Sequence, residues 1–192
     1  MGAANGFTTT SPDTRYGTGT GNIAKDNALG QKFTAPGSGT LEISEMGAWL
    51  AYMSYAEYVK LAIFNDDSTN TCPSTIVSNS QTDAFLIAAG TPAKYYHTYG
   101  TKPTVTGGAD YWLCFIVGTA NIVWSISATG TAVNVWRSAT YDTWPTDTEW
   151  HTHNHYADDS SMYAVYAEAA GGVPLSNPFS RPFEQALGRG GF

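Results

Sequence analysis

The stretch Asp110-Tyr-Trp-Leu-Cys-Phe-Ile-Val-Gly118 is the longest continuous apolar run in the chain and decides the predicted fold. Gly107 and Gly108 precede it. Aromatic and β-branched residues bounded by glycine favour a strand over a helix. Alternate residues point to opposite faces of a strand, and both faces are apolar here: Tyr111, Leu113, Phe115 and Val117 on one, Trp112, Cys114 and Ile116 on the other. We therefore expect a central strand with other parts of the chain packed over both faces.

The composition favours a β-protein and excludes two classes of partner. Charged residues make up 13% of the 192 residues, against roughly 25% in typical globular domains, and aromatic residues make up 14%. Few charges with many Tyr, Trp, Thr and Gly residues are typical of β-sheet proteins. The net charge of -7 and the scattered basic residues argue against nucleic acid as a partner. No apolar run approaches the ~18 residues of a membrane-spanning helix, so we expect no membrane partner.

Short segments with strand-like patterns recur along the body of the chain, separated by turns that contain Gly, Pro or Asn, without a convincing amphipathic helix. The predicted strands cover residues 31–35, 41–44, 46–53, 58–64, 75–78, 84–88, 94–99, 110–117, 122–126, 132–136, 150–156 and 162–167. Residues 46–53 also fit a short helix, but the surrounding glycine and aromatic residues favour a strand. Residues 129–131 predict a hairpin-like connection. The pattern predicts one all-β domain over residues 25–170, a sandwich or a barrel.

Residues 1–24 and 171–192 differ from this body and are predicted to be extended N- and C-terminal arms. The first is rich in Gly, Thr, Ser and Asn, and it lacks the basic start and apolar core of a secretory signal. The second contains prolines at a spacing that neither a regular helix nor a central strand accommodates. It also carries large apolar side chains that a merely solvated tail would lack: Leu175, Phe179, Phe183, Leu187 and Phe192. We expect these to dock on a neighbouring copy or on a capsid or tail protein; the alternative is an arm folded back over its own sandwich.

Three stretches of the body carry a resemblance to a known class of module. They are Gln31-Lys-Phe-Thr-Ala-Pro-Gly-Ser-Gly-Thr-Leu41, Leu61-Ala-Ile-Phe64 followed by Cys72-Pro-Ser-Thr75, and Gly107-Gly-Ala-Asp-Tyr-Trp-Leu113. They resemble the frame of jelly-roll modules of phage structural proteins and bacterial surface proteins, which also occur beside carbohydrate-binding modules. The resemblance covers roughly residues 29–167. It implies an antiparallel β-sandwich of jelly-roll type and a largely non-enzymatic class with no shared catalytic residues, which is an argument by analogy of fold.

Alternating histidines in Glu149-Trp-His-Thr-His-Asn-His155 are the first candidate for a metal site. On a strand the three imidazoles would point to one face, and imidazole is a common zinc ligand. Alternate residues on a strand lie roughly 6.5–7 Å apart, so three in a row cannot all reach one ion. A site would combine two of them with His97 or Asp158. The alternative is the polar outer face of an edge strand. We expect no catalytic metal, and the candidates for a structural one are His151, His153 and Asp158.

Two acidic pairs, Asp66-Asp67 and Asp158-Asp159, are predicted to lie in loops. Carboxylate oxygens suit calcium, and the jelly-roll modules often hold a structural calcium with such loops. Neither stretch has the spacing of an EF-hand, and turn chemistry explains an Asn-Asp-Asp sequence equally well. A structural calcium and an ordinary turn are therefore both retained as interpretations, and no other cofactor is expected.

Aromatic residues crowd into one stretch near the C-terminal end of the body: Trp136, Tyr141, Trp144, Trp150 and Tyr156. Exposed rings next to Asp and Asn side chains would suit a glycan, and the candidates for such a site are Tyr141, Trp144 and Tyr156. The same rings would suit a subunit interface or the core, since Trp136 and Trp150 lie within strand patterns. We favour the core or an interface over a glycan.

Motifs of catalysis are missing from the sequence. It contains no Gly-x-Ser-x-Gly elbow, no P-loop and no dinucleotide fingerprint, so we expect no enzyme and assign no catalytic residues. Cys72 and Cys114 do not make a disulfide framework. Cys114 lies in the central predicted strand, where it is interpreted as a small buried hydrophobe, and a Cys72–Cys114 bridge is the alternative.

Two functions fit these observations. One is a structural protein of a virus-like (phage) particle, a capsid decoration or a fibre or tail component located in the virion. The other is a carbohydrate-binding module of an extracellular or cell-surface protein. The first accounts for a chain that starts at Met1 without a signal, for a single sandwich and for arms with apolar anchors. Because the second accounts only for the aromatic stretch, we expect the first.

Overall fold

The computed structural model describes residues 6–14, 19–52, 57–87, 93–118, 122–127, 133–151, 154–156 and 159–169. Its strands are β1 (Gly6–Thr8), β2 (Gly19–Ile23), β3 (Asn27–Thr34), β4 (Thr40–Tyr52), β5 (Glu57–Asp67), β6 (Cys72–Ile76), β7 (Phe85–Ile87), β8 (Ala93–Thr98), β9 (Thr104–Thr106), β10 (Asp110–Val117), β11 (Ile122–Ser127), β12 (Asn134–Ser138), β13 (Asn154–Tyr156), β14 (Asp159–Ser160) and β15 (Met162–Glu168). Among these residues the only helix is the single turn α1 (Asp147–Trp150). No described helix is long and apolar enough to cross a bilayer.

The strands form two sheets that pack face to face as a β-sandwich. The first sheet has the order β1-β15-β4-β11-β14, with β8 and β9 also paired to β4 and with β2 paired to β11. The second has the order β13-β12-β3-β10-β5-β6, with β7 paired to β5. Among the described pairings only β1 with β15 is parallel. The predicted all-β sandwich is confirmed, and its jelly-roll connectivity stays a prediction.

Strand β10 lies at the centre of the second sheet, between β3 and β5, as its two-sided apolar pattern predicts. One face of β10 contributes to the core between the sheets, through Tyr111, Leu113, Phe115 and Val117. Leu61 and Ile63 of β5 are buried in the same core, whereas Phe33 is only partly buried against it. The apolar residues on this face of β10 are therefore buried, as the sequence predicts.

The opposite face of β10 is covered by a second, separate core. Trp112, Cys114 and Ile116 are fully buried there. The cover is residues 139–151, hereafter the cover segment, which contributes Trp144 and Trp150 to this core. Both predicted layers over the central strand are therefore present. Cys72 and Cys114 are buried free thiols, which confirms the interpretation of Cys114 and shows that the alternative of a bridge was wrong.

The N-terminal arm predicted over residues 1–24 differs from the structure where the chain is described. Residues 6–8 form β1, which pairs with β15, and residues 19–23 form β2, which pairs with β11. The prediction of an arm or loop was wrong for these residues because a ladder is built from backbone groups. A polar, glycine-rich segment can therefore enter a sheet when a distant strand offers an unpaired edge.

Two local predictions in the C-terminal half were also wrong. The strands on either side of residues 129–131 do not form a hairpin, because β11 belongs to the first sheet and β12 to the second. Residues 150–156 do not form one strand, since Trp150 ends α1, and the described residues of this stretch that are extended are 154–156, which form β13. In both cases the position of the core decides the path of the chain, and local turn chemistry does not.

Strand β4 extends through residues 40–52, so the choice of strand over helix for residues 46–52 is confirmed.

Gly47 of β4 allows a close approach of Tyr163, a fully buried residue of β15. A Cβ atom built on Gly47 would lie 2.6 Å from the Tyr163 hydroxyl oxygen and 2.7 Å from its Cζ. The hydroxyl donates a 2.6 Å hydrogen bond to Glu45 Oε1. The missing side chain at Gly47 is therefore what makes room for the ring.

Candidate functional site

The cover segment (residues 139–151) contains three of the predicted site residues, Tyr141, Trp144 and His151. Its helix α1 begins after Thr146, and Thr146-Asp-Thr-Glu149 has the pattern of a capping box. The Glu149 carboxylate accepts hydrogen bonds from the backbone N–H of Thr146 (2.7 Å) and from its hydroxyl (2.9 Å). These bonds lower the pKa of Glu149. A local sequence signal thus fixes where the helix starts.

Trp144 and Trp150 attach the cover segment to the second sheet. Both indoles form edge-to-face contacts with Phe64 of β5. The ring centroid of Phe64 lies 5.3 Å from that of Trp144 and 6.0 Å from that of Trp150. Trp144 is only 9% exposed, so its faces are not free to stack on a sugar and its assignment as a stacking platform was wrong. The preference for a core role is confirmed for both tryptophans. Their burial follows from the apolar face that β5 and β10 present to them.

The other two glycan candidates differ in what the structure describes. Tyr141 is partly buried against the second core. Burial, with the neighbouring carboxylates of Asp142 and Glu57, raises the pKa of Tyr141 to about 12. The side chain of Tyr156 lies outside the described part of the structure, although its backbone pairs with Asn134 in β13. The three rings are therefore not assembled into one exposed platform by the described residues.

Four potential metal ligands converge where the cover segment meets the turn between β5 and β6. They are Asp67, Cys72, Asp147 and His151, whose ligand atoms all lie within 4.8 Å of one another. His151 Nε2 is 3.1 Å from Asp67 Oδ2 and 3.5 Å from Asp147 Oδ1. The thiol of Cys72 is buried, while the imidazole of His151 is 34% exposed and accessible from solvent. The cluster therefore has one closed side and one open side.

Secondary structure explains how each member of this cluster is placed. Asp67 ends β5 and Cys72 begins β6, and the two are directly paired across the turn. Asp147 and His151 are four residues apart, at the first residue of α1 and at its C-cap, so they share one face of the helical turn. Two local spacings thus supply two ligands each, and packing of the cover segment brings the pairs together.

Polar neighbours hold the carboxylate of Asp67 in place. Asn70 Nδ2 donates to Asp67 Oδ2 at 2.6 Å, and the backbone N–H of Thr69 donates to Oδ1 at 2.9 Å. These two bonds are the main reason why the pKa of Asp67 is lowered. Asn70 Nδ2 also lies 3.3 Å from His151 Nε2. The carboxylate is therefore ionised and oriented toward the imidazole at neutral pH.

The pKa of Cys72 is shifted in the opposite direction to that of Asp67. Burial raises the pKa of its thiol to about 11, and the carboxylates of Asp67, Asp147 and Asp66 add to this effect. Negative charges close to a thiol disfavour the thiolate, so the site as it stands keeps Cys72 neutral. A positive ion among the same groups would reverse this preference.

The histidine hypothesis is thus partly corrected. His151 belongs to a cluster of possible ligands, but it lies at the C-cap of a helix and not on a strand. His153 and Asp158 lie outside the described residues. His97 belongs to β8 in the first sheet, where its ring contacts Phe85 and Tyr99. Cys72 and Asp147 were not predicted as partners; the short Asp67–Cys72 turn was a usable signal for the former.

The two carboxylates of Asp66-Asp67 do not converge on one point in the structure, because they contact different neighbours, and calcium at this pair stays a prediction. Asp66 Oδ1 accepts a 2.6 Å hydrogen bond from Trp112 Nε1, and its Oδ2 lies 2.8 Å from Lys32 Nζ. Asp67 instead faces His151. Of the other acidic pair, Asp158 and the side chain of Asp159 lie outside the described part of the chain, so calcium there stays a prediction.

A polar cleft of about 380 Å³ opens beside the cover segment. Its lining includes Asp26, Ser138, Thr140, Thr143, Trp144 and Glu149. Three hydroxyls, two carboxylates and one indole make this a surface for a polar ligand. Trp144 Nε1 is buried and has no hydrogen-bond partner among the described residues. The cleft is separate from the cluster around His151, although both border α1.

The proposed docking residues, Leu175, Phe179, Phe183, Leu187 and Phe192, lie outside the described residues, so their role stays a prediction. In comparisons with known proteins, no family model, no curated protein and no solved structure matches this chain.

Proposed function

We propose that this protein is a non-enzymatic structural component of a virus-like (phage) particle, either a capsid decoration or a fibre or tail component. In this role the sandwich is a rigid body that docks on neighbouring copies or on a capsid or tail protein. The observation that carries the proposal is the set of five large apolar side chains in residues 171–192, which follow a sandwich whose two cores are already filled with aromatic and aliphatic residues.

The described chain leads into residues 171–192 from a defined position at Ala169. Strand β15 lies inside the first sheet, between β1 and β4, and the backbone N–H of Ala169 donates a 3.0 Å hydrogen bond to the carbonyl of Thr40. Residues 171–192 follow from this point. A fully extended chain of that length spans at most about 70–80 Å, which exceeds the dimensions of one small domain and reaches a neighbouring subunit.

Energetics favour such a segment as an anchor. Burying each large apolar side chain contributes about 1.5–3 kcal/mol before ordering costs. The prolines stiffen the segment in advance, so less conformational entropy is lost on docking. Several anchors on one segment, repeated over several copies in a particle, add to the total affinity through multivalency.

The proposal is tested by comparing the full chain with a variant that ends at Ala170. The readouts are the melting temperature, self-association by analytical ultracentrifugation, and immunogold labelling of particles sedimented from the source culture. We expect labelled particles with the native protein. We also expect the truncated variant to keep its melting temperature while it loses self-association or binding to the purified particles.

A matched pair of full-length variants separates the apolar anchors from the backbone that carries them. Phe179→Ser with Phe183→Ser should abolish docking, whereas Ser176→Ala with Gln185→Ala should leave it intact. A lower melting temperature with unchanged association would mean that residues 171–192 cover their own sandwich. That result, or particles without the protein, would reject the proposal.

A second candidate function, the binding of a glycan, is favoured by the polar cleft beside the cover segment. Its hydroxyls and carboxylates match the hydrogen-bonding groups of a sugar, although the buried Trp144 offers no open ring face. A glycan array probed with the full chain tests this function. Asp26→Asn and Thr143→Val should abolish any binding, while Asp83→Asn, at an exposed position remote in sequence, should not. An array without a hit, or hits that survive both changes, would exclude the cleft as a glycan site.

A further inference from the structure

We propose that Asp67, Cys72, Asp147 and His151 together bind one divalent transition-metal ion of the zinc class. The ion would join the turn between β5 and β6 to α1, and so would fasten the cover segment over the second core. This inference does not depend on the particle role proposed above.

The separations in the cluster are close to those of a four-coordinate site. With bonds of about 2.0–2.3 Å, tetrahedral zinc ligands lie about 3.3–3.8 Å from one another. His151 Nε2 is already at 3.1 Å from Asp67 Oδ2 and 3.5 Å from Asp147 Oδ1, and no pair of ligand atoms in the cluster is further apart than 4.8 Å. A contraction of about 1 Å in the longest separations would complete the geometry.

The types of donor atom select the class of metal. One sulfur, one imidazole nitrogen and two carboxylate oxygens suit zinc and its borderline-soft neighbours. Calcium takes six to eight oxygen ligands and magnesium an octahedral oxygen set, so a thiol and an imidazole match neither ion. Four protein ligands also fill the coordination sphere of zinc, which is characteristic of structural sites.

A supporting shell is present around one ligand. Asn70 Nδ2 and the backbone N–H of Thr69 hold the Asp67 carboxylate toward the other ligands. In metal sites, hydrogen bonds of this kind orient the residues that coordinate the metal and tune the affinity for it. Two carboxylates and a thiolate would bring three negative charges to the ion, and the neutral thiol of Cys72 would release its proton when the metal binds.

The role that follows is structural. Asp67 and Cys72 belong to the second sheet, and Asp147 and His151 belong to the cover segment. An ion shared between the two pairs crosslinks the sheet to the layer that covers Trp112 and Phe64. We therefore expect zinc to raise the melting temperature and to protect the indole of Trp150 from quenching by acrylamide.

The test uses the untagged full-length protein, stripped with a chelator and titrated with zinc in competition with a fluorescent zinc indicator. Cobalt provides a second probe, since a thiolate ligand gives a sulfur-to-metal charge-transfer band. The variants are Cys72→Ala and His151→Gln, with Cys114→Ala and His97→Gln as matched controls. Cys114 is the other buried free thiol and His97 lies in the other sheet, so the controls remove the same residue types elsewhere.

We expect one zinc per chain. The affinity should fall roughly 100-fold or more in Cys72→Ala and His151→Gln, beyond the 10–100-fold loss that supporting-shell changes cause, and it should be unchanged in both controls. The cobalt charge-transfer band should disappear in Cys72→Ala. His151 and Asp147 are exposed, so His151→Gln and Asp147→Asn report on binding even if Cys72→Ala folds poorly. Wild-type protein without stoichiometric zinc overturns the proposal, and so does zinc that His151→Gln and Asp147→Asn leave in place.

Discussion

The indole Nε1 of Trp112 donates a 2.6 Å hydrogen bond to Oδ1 of Asp66 on the neighbouring strand. The other oxygen of Asp66 lies 2.8 Å from Lys32 Nζ, and Lys32 also reaches Asp110 at 3.0 Å. These hydrogen bonds to the two carboxylates outweigh the desolvation of Lys32 and raise its pKa. The polar edge of a fully buried tryptophan is thus satisfied by a charged network across β3, β5 and β10.

Replacing Asp66 should therefore destabilise the protein. Asp66→Ala leaves the buried Trp112 Nε1 without its acceptor, which costs about 1–3 kcal/mol of unfolding free energy. Urea denaturation measures the effect. Glu42→Ala removes the exposed ion pair with Lys102 and serves as the control, with an expected cost of about 0–1 kcal/mol. Equal effects of the two changes would contradict a structural role for the Asp66–Trp112 bond.

Truncating the central strand should cost more. Leu113 is fully buried between the sheets, so Leu113→Ala should lower the unfolding free energy by about 2–5 kcal/mol. Leu86 is 55% exposed on β7, and Leu86→Ala should change it by less than about 0.5 kcal/mol. The two variants delete the same atoms, so their difference in denaturation midpoint isolates the effect of burial. A near-neutral Leu113→Ala would place this strand outside the core.

Adding a methyl group at Gly47 should be destabilising. The new Cβ would lie 2.6 Å from the Tyr163 hydroxyl oxygen, and overpacking of this kind costs about 1–3 kcal/mol. Gly100→Ala is the control, since its Cβ would meet no atom within 4 Å. Adding Tyr163→Leu to Gly47→Ala should restore part of the loss, and a double-mutant cycle measures that coupling. Additive effects of the two changes would show that the ring does not fill the space over Gly47.

Asp110 should contribute a pH-dependent increment of stability. The Thr34 hydroxyl, which donates at 2.6 Å, and then Lys32 lower the pKa of Asp110 below its ordinary 3.8. A carboxyl whose pKa is lower in the folded state stabilises the fold above its unfolded pKa, and the contribution is lost as the pH falls through the folded pKa. The wild type should therefore exceed Asp110→Asn in melting temperature near neutral pH.

This difference should shrink once the pH falls below about 4. Asp110 is 37% exposed, so solvent screening keeps the increment small. Melting curves of the two proteins across the acidic range measure it. Thr34→Val removes the first cause of the shift and should move the midpoint of the Asp110 titration, followed by NMR, toward the ordinary value. A constant difference between wild type and Asp110→Asn at all pH values would contradict the prediction.

The central strand was predictable because its information is local. A run of seven apolar residues flanked by glycines predicts that both faces of residues 110–117 are buried. The two cores on either side of β10 confirm this prediction. The partners of a strand are not stated locally. Residues 6–8 and 19–23 have no periodic pattern, yet they pair with β15 and β11, which are far away in the sequence.

The candidate metal site shows the same limit. The alternation of Trp150 with the histidines has the pattern of a strand. In the structure the indole of Trp150 packs in the second core beside Phe64, and the capping interaction of Thr146 with Glu149 starts a helix just before Trp150. His151 consequently faces Asp67, a residue more than eighty positions earlier. The ligand types were visible in the sequence, whereas the meeting of two distant turns depends on tertiary packing.

Strand β15 lies between β1 and β4, although it is the last described strand to be synthesised. During translation, β1 therefore lacks its pairing partner until residues 162–168 leave the ribosome. Over the same period the edge of β4 along residues 41–48 remains unpaired. Vectorial folding from the N-terminus cannot complete the first sheet, which makes the final step non-local and slow compared with helical proteins. The equivalent strand of a second nascent chain can pair with an edge that remains open for so long. We therefore expect strand exchange between chains on the same polysome to be the main route of misfolding for this topology.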